Sequence, residues 1–222
     1  TKEDIDMKEK TIELGKVRQG ERFKLDGVEF VALDCDEEAT FALTADTLSE
    51  CCAFEDDDAE REDHNNFSGS LIQKHMERFF REQHSPIFKA IVERPIDLTS
   101  MDGMTTYGKP FTVARLLTID EFRKYRRFIP LTSKPFWTAT PWTTLRSPYS
   151  DDNYAYRIYT GGAVNGDYVY NALFAPRPAF NLKSSIVVSD STDSDGCYTV
   201  ESVPGNDGGL YVKNNGLWVR AV

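Results

Sequence analysis

Beyond Pro130 the apolar residues of the sequence show no helical spacing, and this limits the second half of the chain to strands and loops. Gly, Pro, Thr, Trp and Tyr are frequent there. Short apolar runs, such as residues 198–200 and 210–212, are separated by turn-forming residues. This pattern predicts a β-rich half and excludes an all-helical fold.

The first half of the chain opens with a hairpin signal. Apolar residues alternate on both sides of Asp26-Gly27, a dipeptide that favours a two-residue turn between antiparallel strands. Residues 41–44 predict a third strand, and residues 111–117 predict a further one. We therefore expect a sheet to form early in the chain.

Two helices are predicted between these strands. Apolar residues fall at helical spacing after Ser70, which would be the N-cap, and Pro86 would end this helix. The second helix would begin after Thr118, because Glu121 completes a capping box with it. Strands, two helices and then a β-rich half define the α+β fold class.

The net charge of -10 limits the classes of partner. A surface of this sign repels a phosphate backbone, so we expect no nucleic-acid partner. The mean hydropathy of -0.47, without an apolar run near about twenty residues, predicts no membrane insertion. The charged first residues predict no signal peptide.

Residues 55–63 are interpreted as a solvated acidic loop, with a cation site as the alternative.

The residue types that carry enzyme chemistry form no recognisable set. The three histidines lie in or beside the acidic loop and first helix, with His75 on the apolar side of that helix. Cys51 and Cys52 are adjacent, and no C-x-x-C pair exists. We therefore predict no catalytic residue, no metal ligand and no cofactor, and we interpret the cysteines as reduced structural thiols. Residues 190–196 resemble a calcium loop, but Ser202 stands where a bidentate Glu is required, which favours a flexible linker.

Residues 149–171 have the composition of a binding loop. Six of the ten tyrosines lie there, together with three Asn and three Asp. Tyr supplies rigid contact area at low entropic cost, and small polar residues supply adaptable hydrogen bonds. The predicted ligand-binding residues are Tyr149, Asp151, Asp152, Asn153, Tyr154, Tyr156, Arg157, Tyr159, Asn165, Asp167, Tyr168, Tyr170, Asn171 and Phe174.

Alternation within this stretch predicts which side chains reach the surface. On strands, Ala155, Ile158 and Val169 would point inward and the interleaved tyrosines outward. Asn165-Gly166 is a favourable pair for the turn between the two strands. The alternative is a Tyr-rich face that another element covers, although covered faces more often carry Val, Ile and Leu.

Two motifs bracket the stretch, W-T-T-L-R-S-P at residues 142–148 and R-P-A-F-N-L at residues 177–182. Each combines apolar anchors with one arginine. The fork of donors on Arg146 and on Arg177 would bind carbonyls or a carboxylate and so hold irregular loops, with a catalytic or anion-binding role as the alternative. The predicted structural scaffold is Trp142, Leu145, Arg146, Ser147, Arg177 and Phe180.

This pair of motifs resembles an uncharacterised domain family of gut Firmicutes and their phages, whose usual form is W-W-L-R-S-P followed by G-V-R-P-A. The family is related to the C-type-lectin-like, formylglycine-generating-enzyme-like fold. The resemblance covers residues 15–188 and includes the G-E-x-F hairpin at Gly20 and both helix starts. Thr143 replaces the second Trp, and Ala175-Pro176 replaces Gly-Val.

The range of the resemblance, the charged first residues and a Ser/Asp/Gly-rich patch after residue 189 together predict a division of the chain. A flexible leader would occupy residues 1–14, a C-type-lectin-like domain residues 15–188, and a linker with a small C-terminal β segment residues 189–222. The last segment is similar to short β modules near the ends of phage structural proteins.

The resemblance also implies a function. Some lectin-like proteins of this group are variable proteins of diversity-generating retroelements, where adenine-directed mutagenesis varies residues on a fixed scaffold. Adenine changes in Asn-type codons give Asn, Asp, Tyr and Ser, which is the composition of residues 149–171. We thus expect a non-enzymatic receptor-binding or display protein that contacts a protein or glycan on a cell surface. It would act in a phage tail or on a bacterial surface, and the sequence leaves its oligomeric state open.

Two other functions stay open at this point. A virion structural or assembly domain would bury the Tyr-rich face between subunits. A formylglycine-generating-type enzyme is suggested by fold analogy alone. That chemistry uses cysteines near the site, and Cys197 is the only cysteine in the C-terminal half.

Overall fold

The computed structural model describes residues 10–221, which form an α+β fold, as the sequence predicted. The helices are α1 (Leu71–Gln83), α2 (Ser85–Lys89) and α3 (Ile119–Tyr125). The strands are β1 (Thr11–Glu13), β2 (Arg22–Leu25), β3 (Val28–Cys35), β4 (Ala39–Thr44), β5 (Arg94–Pro95), β6 (Phe111–Thr112), β7 (Phe136–Pro141), β8 (Tyr154–Ile158), β9 (Val164–Tyr168), β10 (Ala179–Lys183), β11 (Val187–Ser189), β12 (Cys197–Pro204), β13 (Leu210–Asn214) and β14 (Leu217–Arg220). No helix in this range is long and apolar enough to cross a membrane.

A nine-stranded sheet forms the centre of the fold. Its order is β1-β11-β12-β2-β3-β4-β10, with β13 paired to β12 and β14 paired to β13. The pairing is antiparallel except between β12 and β2. The predicted hairpin of β2 and β3 is confirmed. Asp26 and Gly27 take φ values of 53° and 78°, the left-handed region that a tight type I′ turn requires at both positions.

β4 and the middle of β3 are buried on both faces, which explains their nearly continuous apolar sequence. Successive side chains of a strand point to opposite faces, so Phe30 joins a main core with α1 while Val31 joins a second core with α3. The rings of Phe80 and Phe180 meet edge-on at 4.7 Å and fix α1 against the sheet.

Both predicted helices are confirmed by their caps. The Ser70 side chain accepts from the amide of Gln73, and Thr118 and Glu121 form the complete capping box. α1 ends at Gln83, and Pro86 lies in the first turn of the short α2. Backbone N–H groups in a first turn have no acceptor within the helix, so Pro costs no hydrogen bond there.

Three other predictions need correction. The strand expected over residues 111–117 is limited to Phe111–Thr112, because the chain then bends to an isolated bridge between Arg115 and Ala179. Residues 1–9 of the predicted leader lie outside the described residues, but Thr11–Glu13 pair with β11. The predicted domain boundary at residue 189 does not divide the sheet, since β12, which follows it, pairs with both β11 and β2.

The predicted linker at residues 190–196 is held to the sheet by charge. The ammonium group of Lys24 lies 2.9 Å from a carboxylate oxygen of Asp193 and 2.5 Å from one of Asp195. These hydrogen bonds, with the amide of Cys197, lower the pKa of Asp193 to about 2. The Ser/Asp-rich composition therefore forms an ion-paired turn at the start of β12.

Arg177 joins distant parts of the chain from inside the protein. Its guanidinium donates to the carbonyls of Thr44, Ala45 and Pro130 at 3.1, 2.7 and 3.1 Å. Burial lowers its pKa to about 10, so the side chain stays charged at neutral pH. Arg177 thus holds irregular loops, as its motif predicted. Arg146 is exposed and forms no side-chain hydrogen bond within residues 10–221, so the same prediction fails there.

We expect Arg177→Lys to lower the free energy of unfolding by about 3 kcal/mol, because one ammonium group cannot replace a planar fork that serves three buried carbonyls. Arg146→Lys is the matched control and should change it by less than about 0.5 kcal/mol. Urea unfolding followed by circular dichroism measures both values. Equal stability of the two variants would show that Arg177 has no special structural role.

Candidate functional site

The predicted binding stretch forms β8 and β9, which complete a separate three-stranded antiparallel sheet with β7. In this sheet Tyr154 lies opposite Tyr168, and Tyr156 lies opposite Gly166. The side chains of Ala155, Ile158 and Val169 are buried, as the alternation predicted. The tyrosines between them are half-buried or exposed.

Four aromatic side chains form one continuous surface, which we call the aromatic face: Trp142, Tyr154, Tyr156 and Tyr168. The rings of Trp142 and Tyr156 are stacked, with centroids 5.0 Å apart and an interplanar angle of 20°. The rings of the opposed pair Tyr154 and Tyr168 are 4.2 Å apart. Cross-strand aromatic pairs of this kind stabilise a sheet and hold each ring in place.

Gly166 makes the aromatic face possible. A Cβ atom on this residue would lie 2.7 Å from two ring atoms of Trp142, so the indole can rest on the strand only because Gly has no side chain. The sequence placed Asn165-Gly166 in the turn, and this prediction is wrong, because both residues lie within β9. The turn runs from Tyr159 to Ala163, and Gly162 provides its positive φ of 83°.

Two of the predicted contact residues are interior. Arg157 is 6% exposed, and its Nε donates to a carboxylate oxygen of Asp167 at 2.7 Å while an Nη donates to the hydroxyl of Tyr159 at 2.6 Å. Its guanidinium also lies 4.5 Å from the ring centre of Phe174. Phe174 is itself 6% exposed and packs edge-on against Trp137. Both residues therefore support the surface from below.

Asp167 and Tyr159 connect the buried Arg157 to groups nearer the surface. Asp167 accepts from the amide of its neighbour Tyr168 and from the side chain of Asn171. The hydrogen bond from Arg157 lowers the pKa of the Tyr159 hydroxyl. The buried guanidinium thus fixes polar groups on two strands that reach solvent.

A second polar cluster lies at the other end of the predicted stretch. The hydroxyl of Tyr170 donates to the side-chain oxygen of Asn153 at 2.7 Å. The Nδ1 atom of His64 lies 3.1 Å from a carboxylate oxygen of Asp152, and its ring packs edge-on against Tyr170. His64 thus connects this part of the surface to the segment that follows the acidic loop.

The segment that follows the acidic loop supplies a residue that the sequence did not single out. Asn65 is fully buried, and its amide donates to the carbonyls of Thr143 and Tyr154, both at 2.9 Å. Its oxygen accepts from the hydroxyl of Tyr107. Asn65 thus anchors the segment between β7 and β8, and no local sequence signal marks this role.

The acidic loop is also less solvated than predicted. Glu55 is buried and forms an ion pair with Arg61 at 3.0 Å, which in turn contacts Asp63 at 2.9 Å. No group of three or more His, Cys, Asp and Glu residues that could hold a metal ion occurs within residues 10–221.

Several predicted scaffold residues belong to the surface instead. Trp142 is 40% exposed and Leu145 is 42% exposed, whereas Ser147 and Phe180 are buried. Thr143 is buried, and its hydroxyl both donates to and accepts from the backbone of Asp151 at 3.0 and 2.7 Å. The Thr that replaces the second Trp of the motif therefore orders the loop before β8.

The exposed part of the site is apolar as well as polar. Tyr149 is 91% exposed, and Leu173 and Val164 are also exposed. Leu173 and Val164 were absent from the predicted contacts because the prediction followed Tyr, Asn and Asp.

A hydrogen bond with Tyr168 raises the pKa of Tyr154 to about 12, so this hydroxyl is neutral at physiological pH. The site offers aromatic rings and neutral hydroxyl groups to a ligand.

We expect Gly166→Ala to displace the indole of Trp142, because the added methyl group occupies the space of the ring. Gly161→Ala is the matched control, since its Cβ would meet no atom within 4 Å. The indole N–H resonance of Trp142 in a proton–nitrogen correlation spectrum should move in the first variant only. An unchanged resonance in Gly166→Ala would contradict the stacking described above.

Comparison with known proteins identified no relative of this chain. No family model, no curated protein and no solved structure matches it.

Proposed function

We propose that this protein is a non-enzymatic binding module with a C-type-lectin-like fold, which contacts a protein or glycan ligand through the aromatic face and the loops beside it. The observation that supports this most directly is the outward stacking of Trp142, Tyr154, Tyr156 and Tyr168 on one strand pair. Trp and Tyr dominate the energy of binding surfaces, because each combines large contact area with a polar atom.

The rigidity of the aromatic face favours this function. Ring stacking and the cross-strand register hold the side chains before a ligand arrives, so little conformational entropy is lost on binding. Asn165 is exposed beside the rings, and Asp167 and Asn171 are half-buried there. These polar groups would surround an aromatic centre, which is the usual arrangement of a specific interface.

The state of the thiols supports a non-catalytic role. Burial raises the pKa of Cys52 to about 12 and also raises the pKa of Cys197. A catalytic cysteine needs a lowered pKa, because the thiolate is the nucleophile. Neither thiol has the environment that such chemistry requires.

The separation of exposed and buried positions supports the further proposal that a retroelement diversifies this surface. Buried positions of β8 and the segment after β9 carry Ala155, Arg157, Ile158 and Val169, whereas Tyr159, Asn165 and Tyr168 are exposed together with Val164. Mutations confined to the codons of exposed residues would change the binding surface while the buried residues stay constant, which suits selection for new ligands. The protein would then act in a phage tail or on a bacterial surface.

Truncation of the aromatic face should weaken binding. We expect Tyr168→Ala to raise the Kd for a captured ligand at least about fivefold, because exposed central aromatics each contribute more than about 1 kcal/mol. Phe111→Ala is the matched control, since Phe111 is 67% exposed on β6 and lies outside this sheet. The ligand is first found by screening immobilised glycans and surface proteins, and Kd is then measured by biolayer interferometry.

Size-exclusion chromatography gives a second check of the same variants. A monomer that binds through Tyr168 supports the proposal. An oligomer that dissociates on Tyr168→Ala would instead show that the aromatic face is a contact between subunits, as in a virion structural domain.

Deep sequencing of the gene in a growing population tests diversification. Substitutions should fall at adenine positions in the codons of exposed residues such as Tyr149, Asn165 and Tyr168. The codons of Arg157 and Phe174 should stay constant, because their side chains are buried. Invariant codons throughout residues 149–174 would rule out the retroelement while leaving binding through a fixed surface.

A further inference from the structure

A cavity of about 450 Å³ lies outside the aromatic face, where the second core ends. Its floor is the sheet of β3, β4 and β10. Asp34, Phe41 and Asn181 form one row across these strands, because Phe41 pairs with both of the others. α3 provides one wall through Glu121 and Tyr125. The volume falls within the range of small-molecule sites.

A buried arginine is the central feature of this cavity. Arg115 is 5% exposed, and its guanidinium lies 4.4 Å from the ring centre of Phe41. One Nη atom donates to Glu121. The Nε atom is buried and has no hydrogen-bond partner among residues 10–221. A buried donor without an acceptor is unfavourable, so an acceptor supplied by a ligand would stabilise this side chain.

Two further groups bring unused donors to the same cavity. Arg94 uses one Nη atom for Asp36 and Glu38, which leaves its other N–H groups without a partner in the described residues. The side-chain amide of Asn181, beside Phe41, forms no hydrogen bond in residues 10–221. The cavity therefore has an excess of donors from Arg94, Arg115 and Asn181.

The acidic groups of the cavity already have partners. Asp34 accepts from the hydroxyl of Tyr125 at 2.5 Å and from Lys124 at 2.9 Å. Asp36 accepts from two backbone amides, which lower its pKa together with Arg94. Apart from the side-chain oxygen of Asn181, the unpaired groups that a ligand would meet are donors, so the ligand should carry an acceptor group.

We propose that this cavity binds a small organic monocarboxylate. The acid group would accept from Arg115 and Asn181, since a planar carboxylate matches the fork of a guanidinium. The body of the ligand would pack against Pro95 and Tyr125, which also line the cavity. A doubly charged phosphate fits less well, because Asp34, Asp36 and Glu121 are nearby and would repel it.

Titration with benzoate, followed by proton–nitrogen correlation spectra, tests this proposal. Benzoate at millimolar concentration should move the Nε–H signal of Arg115 and the side-chain amide signals of Asn181. Benzamidine has the same ring with a positive charge and should move neither. Inorganic phosphate should move them less than benzoate does.

Variants separate this site from nonspecific binding. Asn181→Asp keeps the side-chain shape but adds a negative charge, and Arg94→Gln removes a positive one. The first removes a hydrogen bond to the acid group and the second removes a nearby positive charge, so each should raise the Kd for benzoate about tenfold or more. Arg123→Gln is the control, because Arg123 is exposed on α3 and does not line the cavity. Its Kd should equal that of the wild type.

Three results would overturn the proposal. The first is the absence of any shift at Arg115 and Asn181 in the folded protein. The second is an unchanged Kd in Asn181→Asp and Arg94→Gln, which would place benzoate elsewhere. The third is equal or tighter binding of phosphate, which would assign the cavity to oxyanions in general.

Discussion

The guanidinium of Arg177 holds together segments that no local interaction could bring into contact. Its acceptors are the carbonyls of Thr44 and Ala45 at the end of β4 and that of Pro130 after α3. The same side chain lies 5.0 Å from the ring centre of Phe136, where β7 begins. The end of β4, the loop after α3 and the start of β7 therefore meet at one buried fork of donors, because buried carbonyls in irregular loops need such partners.

A second buried arginine has a comparable role beneath the aromatic face. Arg157 donates hydrogen bonds to Asp167 and Tyr159 from the buried side of the sheet. The exposed side of the sheet can therefore carry aromatic rings. Gly166 removes the one Cβ atom that would separate Trp142 from the strand. The surface thus has aromatic rings in its centre and a buried charge beneath them, and residues below the rings determine its shape.

α3 connects the two candidate sites. Phe122 and Tyr125 pack in the second core together with Ile158 of β8, which underlies one end of the aromatic sheet. Tyr125 also faces the cavity of Arg115, where its hydroxyl donates to Asp34. The aromatic sheet and the cavity therefore share one helix and one core.

The sequence by itself determined the local structure. The Asp26-Gly27 hairpin, the Ser70 and Thr118 caps and the inward Ala155 and Val169 follow from turn geometry, capping and side-chain period, which involve residues close in sequence. Tertiary structure alone decided that Arg157 and Phe174 are buried, that Trp142 is exposed, that Asn65 anchors β8, and that β12 pairs in parallel with β2. These outcomes depend on which distant segment covers each side chain, and the sequence of a strand does not specify that segment.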